Sequence, residues 1–592
     1  MTVPTTTRER APGLRAAAAD PVVWLGCVVA LVLVVLVLAP VIGLTVTTLR
    51  PDGIGAWADV LTGRLAPSLF HEPLANSLLV GTTTAVGSVL LGGSMAWLVV
   101  MTDAPARRTI ALLATVPFAL PSFALALAWE TVFRNDLVGG RVGLLADLGV
   151  VVPDWIAWGP LPISATLVAH YYSLTFLLAA AALATVNGEL MEAAEMTGAS
   201  RFRVARSIAL PVVAPALVSG GLLAFAEGVS NFASPALLGL PVRFQTLSTR
   251  LYGAISTGET ARGYVLALLL IAVAATVLFA SNRLAGGRRS YATITGKGGR
   301  RSRVGLGPWR VPLTVLAVAL CLATTVLPGL VLLASSFARR TNSFLGGFTT
   351  HFWTGVSDPA IAQGQRGVLR NPQVVDAVLT TVGLGLAVAV AATVLGTAVG
   401  YAVVRLRTRH ERAPRALAGA LSTLSYLPFL IPGIALGAAF IAQFGRPIGP
   451  LPALYGTFAL LVIAGAAYTL PFAAQAGRSA VGQIAPDVEE AAVMAGAGLA
   501  RRAGRIVVPL AARGLLAGAV LVFVNIVRDL SLVVLLVTPA TPLLSVLTYR
   551  YASEGFAQFA NAITVIIVVI SVAATVLARR LEGAAQPWQE DR

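Results

Sequence analysis

Residues 192–198 read Glu-Ala-Ala-Glu-Met-Thr-Gly, and residues 490–496 read Glu-Ala-Ala-Val-Met-Ala-Gly. Arginines follow each: Arg201, Arg203 and Arg206 after the first, Arg501, Arg502 and Arg505 after the second. Each stretch then reaches a proline by the same path, Ile208, Leu210 and Pro211 matching Ile506, Val508 and Pro509. Every matched position lies at the offset that separates Glu192 from Glu490, about half the chain. A segment repeated at that distance marks a duplication. Outside it the match continues with insertions. Pro117-Phe118-Ala119-Leu120-Pro121 parallels Pro428-Phe429-Leu430-Ile431-Pro432, and Tyr172-Ser173-Leu174-Thr175-Phe176 parallels Tyr468-Thr469-Leu470-Pro471-Phe472.

The rest of the chain is apolar. Of 592 residues, 57% are hydrophobic and 12% charged, against roughly 25% charged in soluble domains. Apolar runs with few or no charges, long enough to cross a bilayer at about 20 residues, fall at 22–48, 76–101, 109–129, 161–187, 208–230 and 263–282, then at 311–337, 377–404, 416–443, 453–477, 511–535 and 557–578. Pro428 and Pro432 predict a kink in the run around 416–445. The uncharged run from Pro21 to Leu49 exceeds the ~7–15 residues of a signal peptide's apolar region, so it is expected to be retained. The fold class expected is an all-α membrane protein of two homologous six-helix bundles, with a pseudo-twofold axis along the membrane normal.

The net charge of +17 would suit a nucleic-acid binder, but its distribution does not. With the N-terminus in the cytoplasm and spans alternating, Lys and Arg concentrate on the cytoplasmic side. The clusters are Arg405, Arg407, Arg409, Arg412 and Arg415, and the linker from Arg283 to Arg310. That is the positive-inside pattern, explained by anionic lipid rather than nucleic acid. The organisation expected is a cytoplasmic tail 1–20, a first repeat 21–283, a basic linker 284–310, a second repeat 311–580 and a cytoplasmic tail 581–592. Cys27 and Cys321 sit in apolar runs and read as small buried hydrophobes. No Cys/His cluster suggests a metal site.

The duplicated segments, 188–211 and 478–510, are too polar to span and fall between the fourth and fifth spans of each half. Each is expected to form two short helices broken at a left-handed glycine, Gly198 or Gly496. Glu192 and Glu195 lie on the first short helix, with Glu489 and Glu490 in the matching place, and Pro211 and Pro509 are expected in the first turn of the next span. Two loops that keep one pattern through a duplication read as docking surfaces for two copies of one partner.

At these residues the chain resembles the binding-protein-dependent ABC importer permeases, whose Glu-Ala-Ala-x-x-x-Gly loop docks on an ATPase subunit. The resemblance implies a type I importer permease fold. It places Glu192, Ala193, Ala194 and Gly198 against one ATPase copy and Glu490, Ala491, Ala492 and Gly496 against the other. The fused twelve-span form is similar to the ferric-iron permease branch, which includes thiamine and phosphonate permeases; polyamine is a further possible cargo. The likeness extends to Asn231-Phe232-Ala233-Ser234-Pro235 with Phe244 to Thr249, and to Asp529-Leu530-Ser531 with Leu544 to Leu547. Asn231 and Asp529 occupy one repeat position. Many relatives are acidic at both, so Asn231 departs from a symmetric acidic pair. The partners implied are two copies of an ABC ATPase, which carry ATP and Mg, an extracytoplasmic substrate-binding protein docking near 338–373 and 236–261, and membrane lipid. The setting implied is a bacterial inner membrane. No cofactor is expected on this chain.

Ionisable residues inside spans are rare and costly. The pathway candidates are Glu227, Asn231, Arg528 and Asp529, with His170 and Glu130 also within or at the end of spans. His170, Tyr171 and Tyr172 read as packing or an interfacial belt, and no Tyr/His/carboxylate cluster is dense enough to argue a ferric ligand sphere. The chain lacks Gly-x-x-x-x-Gly-Lys-Ser/Thr; the nearest fragment, Thr295-Gly296-Lys297-Gly298, has glycine in place of the hydroxyl. A twelve-span ion-driven transporter explains the duplication but not the paired loops. A membrane enzyme would need a catalytic constellation, and none is present. The reading is alternating access driven by a separate ATPase, with iron(III) the leading cargo.

Overall fold

The computed structural model describes residues 20–186, 205–286 and 304–582, apart from 360, 410, 448 and 451, and within 187–204 only residues 194, 196–198, 200 and 203. Both tails (1–19 and 583–592), Glu192, Ala193, Glu195, Arg201 and the Thr295-to-Gly298 fragment lie outside the described residues.

Among the described residues ten helices are long and apolar enough to cross a membrane, and counting each of two bent pairs as one span brings the number to twelve. In the first half these are span 1 (Pro21–Thr48), span 2 (Pro67–Met101), span 3 (Arg107–Phe118 with Ser122–Phe133), span 4 (Asp154–Leu183), span 5 (Arg206–Ser230) and span 6 (Thr260–Val277). In the second half they are span 7 (Gly307–Phe337), span 8 (Pro372–Arg407), span 9 (Arg412–Leu430 with Gly433–Phe444), span 10 (Phe458–Gly482), span 11 (Leu499–Val527) and span 12 (Ala557–Leu577). The Pro-x-x-x-Pro motifs break spans 3 and 9, by 97° and 106°. The first proline of each motif lies within a single 3-10 turn, Val116–Ala119 in one half and Leu427–Leu430 in the other, and the second follows it. A two-stranded hairpin, β1 (Ala338–Arg340) and β2 (Ser343–Phe348), follows span 7.

Four prolines lie inside spans two residues after a widened π turn. The turns are Val34–Leu38, Pro67–His71, Ala205–Ala209 and Ala503–Val507, and the prolines are Pro40, Pro73, Pro211 and Pro509. A helical proline offers no N–H, and its ring clashes with the carbonyl four residues back. Widening the preceding turn moves that carbonyl aside without ending the helix. Pro211 and Pro509 therefore do not open spans 5 and 11, as the sequence suggested. Those spans begin at Arg206 and Leu499 and run through the prolines. The apolar run 511–535 likewise overshoots, because span 11 stops at Val527 and Asp529 turns the chain.

The duplication is visible in the packing. A Cβ on Gly81 of span 2 would lie 2.5 Å from Val229 and 3.2 Å from the Phe225 ring of span 5. A Cβ on Gly385 of span 8 would lie 2.7 Å from the Phe523 ring and 2.9 Å from Val527 of span 11. Ser77 Oγ accepts the N–H of Leu247 at 2.8 Å, and Thr381 Oγ1 accepts that of Leu544 at 3.0 Å. Spans 8 and 10 meet backbone to backbone. A Cβ on Gly396 would lie 2.4 Å from the Ala473 carbonyl carbon, and one on Gly400 equally close to Gly477. Lipid gives helices no hydrophobic reason to associate, so small residues that permit such contact hold the bundle together.

Each half lends its first span to the other. Span 1 buries Val22, Val29, Leu33 and Val37 against Leu384, Leu406 and Ala418 of spans 8 and 9. Span 7 buries Ala317 and Cys321 against Ile110, Phe176 and Ala180 of spans 3 and 4. Cys321 is buried as expected; Cys27 is exposed, because it lies on the outward side of span 1. A polar clasp secures each exchange, and the two clasps have opposite sign. Asp20, before span 1, pairs with Arg409, after span 8, at 2.6 Å. Arg310, at the start of span 7, lies 3.7 Å from Asp103, after span 2, whose Oδ1 also accepts the N–H of Leu306 at 2.9 Å. Pairing within each half would instead set Asp20 against Asp103 and Arg310 against Arg409.

Gly396→Val should lose most of the folded protein, since the carbonyl it strikes belongs to a packed helix and overpacking costs ~1–3 kcal/mol or more. Gly419→Ala, where an added Cβ meets nothing within 4 Å, should melt with the wild type when detergent-solubilised protein is heated and followed by size-exclusion chromatography.

Candidate functional site

The second duplicated loop folds as the helix Pro486–Met494 followed by a turn into span 11. Pro486 sits in the first turn with Asp487 and Glu489, where carboxylates favour the helix N-terminus. Its end is a Schellman motif: Ala497 N–H donates to Ala492 O and Gly496 N–H to Val493 O, both at 2.9 Å. Gly496 has φ +78° and Gly198, in the first loop, has φ +84°. Both glycines are thus left-handed, as the pattern requires.

The helix has two faces. Glu489 turns inward and is 5% exposed. Glu490 and Ala491 face out and Ala492 is half-buried. The outward surface is also apolar: Val488 and Val493 are exposed, and Met494 is 88% exposed. At the same repeat position in the first loop, Met196 is also 88% exposed. Of the residues assigned to the first loop, Ala194 is half-buried and Gly198 exposed, and Glu192 and Ala193 lie outside the described residues. Two symmetric apolar side chains standing clear of the surface are the kind of feature that marks an interaction site. The sequence match contains both methionines, but only the structure shows that they project.

The second constellation lies between the halves. A cavity of about 130 Å³ is lined by Phe118, Ser122, His170, Tyr171, Glu227 and Asn231 from the first half, and by Phe429, Tyr468, Phe472, Arg528, Asp529 and Ser531 from the second. All four predicted pathway residues are therefore in one place. Each half supplies one carboxylate and one carboxamide, four residues apart and in opposite order: Glu227 and Asn231, then Asn525 and Asp529. The acidic pair that Asn231 put in doubt is restored by Glu227.

Asn231 and Asp529 also shape the backbone identically. Asn231 Oδ1 accepts the N–H of Ser234 at 3.0 Å, and Asp529 Oδ1 accepts that of Leu532 at 2.7 Å. Each thereby caps the helical turn that re-enters the bundle after span 5 or span 11. The remaining contacts are sparse. Asn231 Nδ2 donates to Ser122 Oγ at 3.1 Å and Tyr171 Oη at 3.4 Å, and Tyr171 donates to Glu227 at 3.3 Å. Arg528 stacks over Phe118 with its guanidinium carbon 4.4 Å from the ring centre, and donates to Asn525 Oδ1 at 3.0 Å. It makes no ion pair with Glu227 or Asp529. His170 is buried against Phe118 and Tyr171, and its Nδ1 has no hydrogen-bond partner among the described residues. Two carboxylates, a guanidinium and an imidazole thus line one cavity, with no ion pair among the described residues. Ionisable groups enclosed in a membrane bundle are rare and costly.

Two expectations need correction here. His170 and Tyr171 are not an interfacial belt; the bend of span 3 brings Phe118 over them and makes them cavity wall. Tyr172, matched by motif to Tyr468, faces away and bonds Thr324 of span 7 at 3.2 Å, so Tyr171 is the tyrosine that meets the cavity. Tyr171, Tyr468, Glu227 and Asp529 line the same cavity. Among the described residues they do not form a group of three His, Cys, Asp or Glu able to hold a metal ion. Glu130 is separate: it pairs with Arg134, its partner four residues on.

An aromatic cluster follows Asn231 in the chain. Phe232 packs on Tyr252 and Tyr549 at 4.8 and 5.4 Å between ring centres, and the two tyrosines meet edge-on at 6.2 Å. They come from matching short helices, Leu247–Ser256 and Leu544–Ser553. Towards the docking loops, Phe472 also lines an open groove of about 830 Å³ that reaches Val488. Asp529→Asn should keep the cap and fold with wild-type stability, whereas Asp529→Ala should lose ~0.5–2 kcal/mol. Transport that falls in the Asn variant while its melting is unchanged would assign the charge to the path rather than to the fold.

The family model for binding-protein-dependent transport system inner membrane components matches residues 88–289 and again 411–583, one match in each half. A putative ferric transport system permease protein of Haemophilus influenzae is 24% identical over 81% of this chain and 72% of its own length. A ferric transport system permease protein of Actinobacillus pleuropneumoniae is 24% identical over 84% and 69%. A probable sulfate transport system permease protein of Nephroselmis olivacea is 23% identical over 40% of this chain and 82% of its own length. With the family pattern present twice, the exchanged spans and the paired loops belong to a single architecture, and the chain is a fused, two-repeat member of the binding-protein-dependent transport system inner membrane component family.

Proposed function

We propose that this chain is the permease of an ATP-driven importer, moving cargo by alternating access while a separate ABC ATPase hydrolyses ATP. The observation that carries this reading is the pair of loops between spans 4 and 5 and between spans 10 and 11, each with a left-handed glycine and a methionine 88% exposed. One ATPase copy docks on Ala194, Gly198 and their neighbours Glu192 and Ala193; the other docks on Glu490, Ala491, Ala492 and Gly496. ATP and Mg are held by that partner, since the chain has no phosphate-binding loop. The loops lie in the cytoplasm with both termini, on the face where Asp20 meets Arg409. A substrate-binding protein docks on the opposite face of a bacterial inner membrane.

Iron(III) is the cargo we favour. The relatives named for ferric transport align across both halves, and the cavity wall carries tyrosine and carboxylate oxygens, the hard donors such a cation takes. An oxyanion is the second reading. Arg528 lines the same cavity without an ion pair, and a relative named for sulfate transport aligns over one half-length.

Purification of the tagged chain from native membranes in mild detergent should recover two copies of an ABC ATPase with hydrolytic activity. Met196→Glu with Met494→Glu should strip the ATPase while leaving the permease folded; an unaltered complex would sink the docking assignment. Uptake in cells carrying the intact system, followed with radiolabelled iron(III) and then sulfate, separates the cargoes. Glu227→Gln should abolish iron uptake at least tenfold, and Arg528→Met should do so for an oxyanion.

A further inference from the structure

Glu489 is the best-anchored charge in the second half and is not part of the outward docking face. Its Oε1 receives Arg405 Nε at 2.8 Å and Nη2 at 2.5 Å; its Oε2 receives the Tyr401 hydroxyl at 2.7 Å and lies 3.9 Å from Arg502. Arg405 also donates to the Ile484 carbonyl at 3.3 Å. Glu489 and Arg405 are 5% and 9% exposed. One carboxylate thus joins the docking helix, the last turns of span 8 and the start of span 11. A buried guanidinium–carboxylate contact fixes geometry as well as contributing energy, and removing one member leaves the other charge stranded.

The first half is built differently. The packing of Gly81 and Gly385 sets spans 2 and 8 in register. That register places Trp97 opposite Tyr401 and Met101 opposite Arg405, and the docking repeat places Met191 opposite Glu489. Met101 is buried and Trp97 half-buried; Met191 lies outside the described residues. The corresponding residues carry no charge.

Span 8 leads from this anchor to the cavity. It is one unbroken helix, Pro372–Arg407. Midway, Gly385 lies against Phe523 and Val527, immediately before Arg528 and Asp529. Further on, Thr381 holds the short helix that carries Tyr549. A shift of the docking helix that drags Arg405 would therefore be felt both beside the cavity wall and at the helix that carries Tyr549.

We propose that Glu489 is a positioning residue that locks the second docking helix in register with span 8, so that the stroke of the ATPase copy docked there reaches the cavity through a rigid, charge-anchored linkage. The inference rests on the permease reading above and concerns how the stroke is transmitted. The test uses the whole complex in proteoliposomes and measures cargo moved per ATP hydrolysed. Glu489→Met combined with Arg405→Met copies the residues of the first half and strands no buried partner within the pair. The ATPase should still co-purify and hydrolyse within about twofold of wild type, while cargo per ATP falls about tenfold or more. Met101→Leu should leave that ratio unchanged. A folded double variant with wild-type cargo per ATP would overturn the proposal. If the double variant does not fold, Tyr401→Phe, which removes one donor, should lower the ratio about threefold, and an unchanged ratio there overturns the proposal equally. A wild-type complex that lacks any hydrolysis-dependent transport would overturn the permease reading itself, an outcome distinct from both.

Discussion

Inside a bilayer, a backbone N–H or C=O that loses its partner finds no water to replace it. Most of this architecture follows from that rule applied to a proline-rich chain. Where a proline must sit inside a span, the preceding turn widens and the helix goes on, as before Pro40, Pro73, Pro211 and Pro509. Where two prolines flank a turn, the helix breaks, and spans 3 and 9 bend by about a right angle. The bends are useful as well as tolerated. They carry Phe118 and Phe429 to the midline and put non-helical backbone only where protein surrounds it. The helical turns after spans 5 and 11 obey the same rule, with the Asn231 and Asp529 side chains taking the N–H groups that the interrupted helices leave bare.

Helices satisfied in this way still need a reason to stay together. Close approach supplies it, and glycine makes it possible. Gly396, Gly400 and Gly477 let spans 8 and 10 touch through their main chains, where dispersion and weak polar contacts act at short range. The exchange of first spans closes each half over the other, so the central cavity belongs to neither alone. Paired charges hold the exposed clasps, the buried Glu489 knot and Glu130 with Arg134. At the cavity wall, by contrast, Glu227, Arg528 and Asp529 make no ion pair among the described residues.

The duplication, the apolar spans, the repeated loops and their left-handed glycines were legible in the sequence, because each depends on local spacing. Apolar length located the spans, yet it overshot at 528–535, where Asp529 turns the chain. The convergence of Glu227 with Asp529, and of Tyr171 with Tyr468, was not legible. It depends on how two bent spans face one another, and the motif match pointed to Tyr172 instead. The role of Glu489 was hidden for a related reason. Its neighbour Glu490 carries the repeated pattern, and the partners of Glu489 lie on a different span. An arginine one turn after a tyrosine, Tyr401 and Arg405, at the end of an otherwise apolar helix was the signal available.

The opposed signs of the two clasps bear on how a fused chain of this kind diverges. A duplicated ancestor would have carried the same residues in both halves, and either half could have paired with its twin. With Asp20 facing Arg409 on one side and Arg310 facing Asp103 on the other, two copies of the first half would meet acid to acid, and two copies of the second base to base. Each half has become dependent on its neighbour's sequence. The fusion is thereby harder to reverse, because separating the halves into independent chains would leave each able to assemble with the other but ill-suited to itself.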